Sequence, residues 1–265
     1  NVAVGNNALD ANTTASANTA VGGFALTSNT TGASNVALGY NALDSNTTAS
    51  NNTAVGTFAL KLNTTGSYNT AFGHSALRNT TTGTHNTALG LDALYNNTTG
   101  TRNVAVGLNA SVNSTTGNDN TVVGYSAFGA NTTGSLNTAV GATALDANTT
   151  GAENVAVGYG ALGSNTTGID NTAIGASSLT YNTTGSHNSG LSRATLVNNT
   201  TGSYNTAAGK SALQSNTTAN YNVAVGYNSL KLNTTGSQNV SVGTDALREN
   251  TTASNNTAMG YNSLN

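Results

Sequence analysis

One period organises the whole chain. Asparagine stands at Asn1 and at every seventeenth residue after it, as far as Asn256. The repeat has the consensus Asn-(Thr/Val)-Ala-Val-Gly-x-x-Ala-Leu-x-x-Asn-Thr-Thr-Gly-x-x, and it runs through fifteen full copies and one copy of ten residues without an insertion. We number its positions one to seventeen from this Asn. Because all copies are in phase, the sequence predicts a single uninterrupted repeat array over residues 1–265, as a segment of a longer chain.

The repeat favours strands over helices. Thr and Val, which dominate position two, prefer extended backbone, and Gly, Asn and Thr are poor helix formers. Seventeen residues are also too few for a helical hairpin with its turns. We therefore expect extended segments at positions two to four and eight to ten, with turns at the position-five Gly and at Asn-Thr-Thr-Gly. The predicted fold is all-β: a parallel β-solenoid of fifteen to sixteen 17-residue coils, stacked about 4.8 Å apart.

Charged residues mark the positions that face water. All sixteen of them lie at positions six, seven, ten, eleven and seventeen, and charged side chains are rarely buried without a partner. In the first strand, positions two and four share one face and position three, mostly Ala, has the other. We expect position-four residues such as Val21 and Leu38 to fill the interior with the position-nine Leu ladder. The Ala face is then free for a close interface between neighbouring solenoids, which predicts an oligomer.

The composition leaves little material for chemistry. Only 6% of residues are charged, Cys, Pro and Trp are absent, and the three His are scattered along the chain. No catalytic constellation, metal site or cofactor site can be assembled from this set, so we do not expect an enzyme. Seven Lys and Arg do not form a nucleic-acid surface. Apolar runs of a few residues predict no membrane insertion by this segment.

The strand motif resembles a known family. Asn18–Gly22 and Asn154–Gly158 read Asn-Thr-Ala-Val-Gly and Asn-Val-Ala-Val-Gly, and they resemble the head repeats of YadA-type trimeric autotransporter adhesins. Longer stretches such as Asn222–Leu230 resemble repeat shafts of bacterial and phage tail-fibre proteins. The resemblance covers the whole chain and implies a left-handed β-roll, of which three form a homotrimeric extracellular fibre. The long Asn-Thr-Thr-Gly turn departs from the usual head repeat.

The function expected from these features is structural. We interpret the chain as a segment of an extracellular fibre, a rigid shaft or an adhesive head, at a cell surface or in a virion tail fibre. Its expected partner is itself, as a homotrimer or filament, with a host surface, matrix surface or glycan as further candidates. Exposed Tyr side chains at position six are candidate contact residues or ring-packing residues. They are Tyr40, Tyr125, Tyr159, Tyr227 and Tyr261.

The Asn-Thr-Thr turn supports other interpretations. It matches the N-glycan acceptor pattern in each full copy, and its Thr ladders suggest an ice-binding surface. A structural alternative is that Asn and Thr satisfy turn backbone groups and stack on their equivalents. The residues concerned in the first two copies are Asn12, Thr13, Thr14, Asn29, Thr30 and Thr31. A self-assembling surface filament, glycosylated or not, is another alternative; low-complexity disorder is disfavoured by the regular apolar period.

The twelfth copy is irregular. Gly190, Ser192, Arg193 and Thr195 replace the usual residues there. This coil is a candidate for local opening or a bend, or the changes reflect drift.

Overall fold

Each repeat forms one coil with a single short strand. The computed structural model describes all residues 1–265, and every copy has a three-residue strand at positions two to four. In chain order the strands are β1 (Val2–Val4), β2 (Thr19–Val21), β3 (Val36–Leu38), β4 (Thr53–Val55), β5 (Thr70–Phe72), β6 (Thr87–Leu89), β7 (Val104–Val106), β8 (Thr121–Val123), β9 (Thr138–Val140), β10 (Val155–Val157), β11 (Thr172–Ile174), β12 (Ser189–Leu191), β13 (Thr206–Ala208), β14 (Val223–Val225), β15 (Val240–Val242) and β16 (Thr257–Met259). No helix capable of spanning a bilayer is present.

The coils group into two compact units, residues 1–135 and 136–265. In the first unit β1 to β8 pair consecutively in parallel, with a register shift of one repeat, as in Val2 opposite Thr19. In the second unit β9 to β16 pair in the same way, as in Val155 opposite Thr172. The predicted parallel β-solenoid is therefore confirmed. Its left-handedness and its continuity over residues 1–265 stay predictions.

The strand face that points into the solenoid is the opposite of the one expected. Position-three residues are buried in every copy except the first, as are position-eight Ala and position-nine Leu in the interior coils, with Ala20, Ala25 and Leu26 fully inaccessible. Position four faces outward, and Leu38 is 46% exposed. The prediction that position four fills the interior and Ala forms an interface was wrong. A side chain at position three points directly at the position-eight side chains and the position-nine Leu, as the surroundings of Gly190 show, so this narrow interior suits a methyl group.

Left-handed backbone replaces the second predicted strand. Positions seven, nine and seventeen have positive φ, as in Phe24 (58°), Leu26 (52°) and Ser34 (59°). Two such residues flanking position eight turn the chain sharply, so positions eight to ten form turns instead of a strand. At position five φ is larger still, 135° for Gly22, and a Cβ there would lie 2.5 Å from the carbonyl oxygen of Gly39. Only glycine fits this conformation without strain.

The irregular residues of the twelfth coil are matched by a polar residue in the eleventh coil. Ser178 and Thr195, both at position eight, have hydroxyl oxygens 2.7 Å apart, and Ser178 also donates to the carbonyl of Gly190. A side chain on Gly190 would collide with both hydroxyls. The absence of a methyl group at position three thus makes room for two polar groups in the interior.

Candidate interaction surface

The outward strand face is apolar and uncharged. Positions two and four carry no charged residue in any copy. Because the strands are in register, position-four side chains form a continuous ladder along each unit. The exposed large apolar residues of this strand face are Val2, Val4, Val36, Leu38, Phe72, Leu89, Val104 and Val123 in the first unit, and Ile174, Leu191, Val225 and Met259 in the second. Extended apolar patches of this kind mark interaction sites in soluble proteins.

The Asn residues of the turn are buried in hydrogen-bonded ladders. Asn46 donates from Nδ2 to Asn29 Oδ1 at 2.8 Å and to the carbonyl of Ala49 at 3.0 Å. Asn29 is inaccessible, and its Nδ2 donates to the carbonyl of Gly32 at 2.9 Å. Asn12 lies in the first coil and is half-buried, with a longer bond of 3.3 Å to Ala15. Attachment of a glycan to an interior Asn of this ladder therefore requires its coil to open.

The two Thr ladders differ in what they present to water. Thr13 Oγ1 donates to the carbonyl of Thr30 at 3.0 Å, and Thr30 Oγ1 donates to that of Thr47 at 3.1 Å. Thr14 and Thr31 are exposed. The position-thirteen hydroxyl of each pair is thus hydrogen-bonded to the next coil, and the position-fourteen Thr residues form the ladder that remains at the surface.

The five candidate Tyr residues are all exposed, from 48% for Tyr227 to 80% for Tyr261. They are not equivalent. Tyr40 makes edge-to-face contacts with Phe24 and Phe58, with ring centroids 5.9 and 5.8 Å apart. Lys210 Nζ lies 5.9 Å from the centre of the Tyr227 ring. Tyr125 and Tyr159 are 56% and 66% exposed.

Two further surface features belong to individual copies, and of these the sequence indicated the stacking of position-seventeen Tyr rings but not the hollow. Rings at position seventeen stack in short columns, with centroids 4.7 Å apart for His187 and Tyr204 and 5.1 Å for Tyr204 and Tyr221. A hollow also lies beside Tyr159, over Gly160 and Gly163. Two glycines at variable positions of one copy were the available signal for this hollow.

Exposed charges at position seventeen interact along the solenoid axis. Arg102 donates two hydrogen bonds to Asp119, at 2.6 and 2.7 Å, and this guanidinium lowers the pKa of the Asp119 carboxyl. Asp170 has the opposite effect on Glu153, since their hydrogen bond and like charge raise the pKa of Glu153. No group of three or more His, Cys, Asp or Glu is positioned to hold a metal ion.

Comparisons with protein-family models, with curated proteins and with solved structures found no match to this chain. Fold and surface together define its class. It is a β-solenoid repeat protein with buried Asn ladders and an uncharged, apolar strand face on each unit.

Proposed function

We propose that the chain is a structural segment of an extracellular fibre, at a cell surface or in a virion tail fibre, and that it assembles as a homotrimer. Copies associate through the strand face, the outward side chains of positions two and four. The observation that carries this proposal is the in-register ladder of exposed aliphatic and aromatic side chains, uninterrupted by charge.

Because the strand face repeats in every coil, its small contributions to the free energy of association add up. Leu38 and Leu89 are each 46% exposed, and covering the exposed half of such a side chain is worth about 1 kcal/mol. A single coil gains little in this way. Eight coils in register present the same contact eight times, so the gain accumulates along the fibre while the loss of translational and rotational freedom occurs once.

The resemblance to YadA-type head repeats supports the same assembly. The resemblance is strongest at positions one to five, which contain the strand whose side chains form the strand face. The number three and the extracellular location come from this resemblance. The ice-binding alternative has less support, because position-thirteen hydroxyls such as that of Thr30 donate to backbone carbonyls.

Sedimentation of matched variants tests the assembly. Leu38→Glu with Leu89→Glu places two charges on the strand face. Leu91→Glu with Leu108→Glu places two charges at position six, where these Leu residues are similarly exposed, at 45% and 40%. We expect trimers for the unmodified chain and for the position-six variant, and monomers for the strand-face variant. A folded, monomeric unmodified chain, or equal assembly of the two variants, would contradict the proposal.

A further inference from the structure

A hollow of about 330 Å³ interrupts the turn surface of the second unit. Its floor is Gly160 and Gly163, at positions seven and ten of the tenth copy. No other copy has glycine at both positions. The preceding coil contributes Thr143 and Asp146 to the wall.

The two glycines are not required by the fold. Gly160 has a φ of 60°, and a Cβ built on it meets no atom within 4 Å. The neighbouring coils adopt the same backbone at position seven with Thr143 (54°) and Ser177 (56°). Position ten likewise holds Asp146 and Thr180 in those coils. Gly160 is therefore not required by packing or by a backbone that only glycine adopts. A Cβ on Gly163 would lie 3.3 Å from the carbonyl oxygen of Gly160, a close contact, yet the equivalent positions of the adjacent coils carry side chains. The effect of the two glycines is to leave space between side chains of the adjacent coils.

The lining is rich in hydroxyl groups. Besides Thr143, the hydroxyls come from Ser164, Ser177 and Thr180, and Asp146 supplies one carboxylate. Thr180 Oγ1 donates to the carbonyl of Gly160 at 3.2 Å, which orients its oxygen at the floor of the hollow. A hydroxyl oxygen that donates one hydrogen bond can still accept others.

An aromatic ring completes the site. Tyr159 lines the hollow and is 66% exposed. An exposed ring gives a ligand an apolar face to pack on, with a polar hydroxyl at its end. Pockets near 300 Å³ lie at the small end of ligand sites in proteins and suit a small molecule.

We propose that this hollow binds a neutral saccharide. A pyranose ring has an apolar C–H face, which packs on Tyr159, and hydroxyls on its edge, which bond to Asp146 and to the Ser and Thr side chains. The single carboxylate disfavours acidic sugars through like-charge repulsion. This site is independent of the proposed assembly, because it uses positions six, seven, ten and eleven and none of the strand face.

The test uses the full chain and a panel of neutral probes: glucose, galactose, mannose, N-acetylglucosamine and their β-linked disaccharides. Saturation-transfer NMR detects contact, and calorimetric titration gives affinity. The variant Gly160→Ser with Gly163→Thr fills the hollow with the residues of the next coil. Gln214→Thr is the matched control: the thirteenth copy already has Ser211 at position seven, so this change gives it the same pair of residues two coils beyond the hollow.

We expect at least one saccharide to bind, with the filled variant at least tenfold weaker and the control unchanged. Tyr159→Ala should weaken binding to a similar degree. Binding by no saccharide in the panel, or undiminished binding to the filled variant, would overturn the proposal. Binding of choline in place of any saccharide would also overturn it, because a carboxylate beside an aromatic ring suits a cation. Sedimentation of the same samples reports assembly separately.

Discussion

The backbone N–H of Asn52 donates to the side-chain oxygen of Asn35 at 3.0 Å. One repeat further on, Asn69 donates in the same way to Asn52 at 2.9 Å. The Asn52 side-chain nitrogen meanwhile donates to the carbonyl of Gly66, at the turn of its own coil, at 3.0 Å. Each position-one Asn therefore links its own turn to the next coil, and this double role explains why Asn occupies position one in every copy.

Asn52→Asp should destabilise the fold by about 3 kcal/mol, because it removes the amide donor and places a carboxylate at a buried site. Asn51→Asp is the matched control. It makes the same chemical change one residue earlier, at an exposed position whose left-handed backbone Asp tolerates. Urea unfolding followed by circular dichroism measures both. Equal losses of stability would mean that the position-one ladder contributes nothing specific.

The position-twelve ladder has two defects that can be repaired. Asn63 Oδ1 and Asn97 Oδ1 are buried without a donor, and each precedes a copy in which Asn is replaced, by Thr80 and by Ser114 respectively. In a regular stretch the next Asn donates to this oxygen, as Asn46 does to Asn29.

Thr80→Asn and Ser114→Asn should each raise the free energy of unfolding by about 1 kcal/mol, since each supplies the missing donor. Ser45→Asn, at the half-buried position eleven, is the control and should have little effect. Chemical denaturation gives the differences. A loss of stability in both repaired variants would show that the interior cannot accept the larger side chain there.

Ser192 is the one residue other than Gly at position five, and its φ of 131° lies in a region that side chains rarely adopt. Such strain costs about 1–3 kcal/mol, while glycine loses about 0.5–1 kcal/mol more in chain entropy on folding. Ser192→Gly should therefore stabilise the protein by about 1 kcal/mol. Ser192→Ala retains the Cβ and should give no such gain. Hydrogen exchange would locate the change, because slower exchange is expected in the twelfth coil.

The period alone was enough to predict the fold class and the register, because a shift of any other length would pair Asn with non-equivalent residues. Alternation also placed positions two and four on one face. It did not reveal which face is inside, and the small side chain of Ala20 suggested the outside. Which face points inside depends on the backbone conformation at position nine. Leu26 adopts a left-handed conformation that Leu rarely takes, and its side chain is fully buried in the interior, as is Ala20.

The hollow beside Tyr159 was harder to predict from the sequence than the fold. Repetition identifies what all coils share, whereas the hollow depends on what one coil lacks. Gly160 and Gly163 lie at positions that vary freely between copies, so the consensus assigns them no role. Gly163 lies close to Tyr159 because positions six to ten form turns. The sequence predicted a strand at positions eight to ten, so it did not indicate this arrangement.

The position-seventeen charges should give opposite pH effects. In the folded chain the pKa of Glu153 is raised by Asp170, so the folded state binds more protons than the unfolded state between the ordinary and the raised pKa. Stability is therefore lost as the pH rises through that window from its lower limit near 4.5. Asp119, whose pKa is lowered by Arg102, contributes stability above its ordinary pKa that is lost as the pH falls through the lowered value.

Glu153→Gln should accordingly raise the melting temperature slightly at pH 7 and have little effect at a pH well below 4, where Glu153 is protonated in both the folded and the unfolded chain. The variant retains Asp170, which lies 3.5 Å from His187, so that contact does not confound the comparison. Asp119→Asn should do the reverse, lowering the melting temperature at pH 7 with a smaller effect in acid. Both effects should be small and should shrink in high salt, because these side chains are exposed to solvent. Calorimetric melting curves at several pH values measure them, and a stabilising effect of Glu153→Gln that persists unchanged below pH 4 would rule out charge repulsion as its cause.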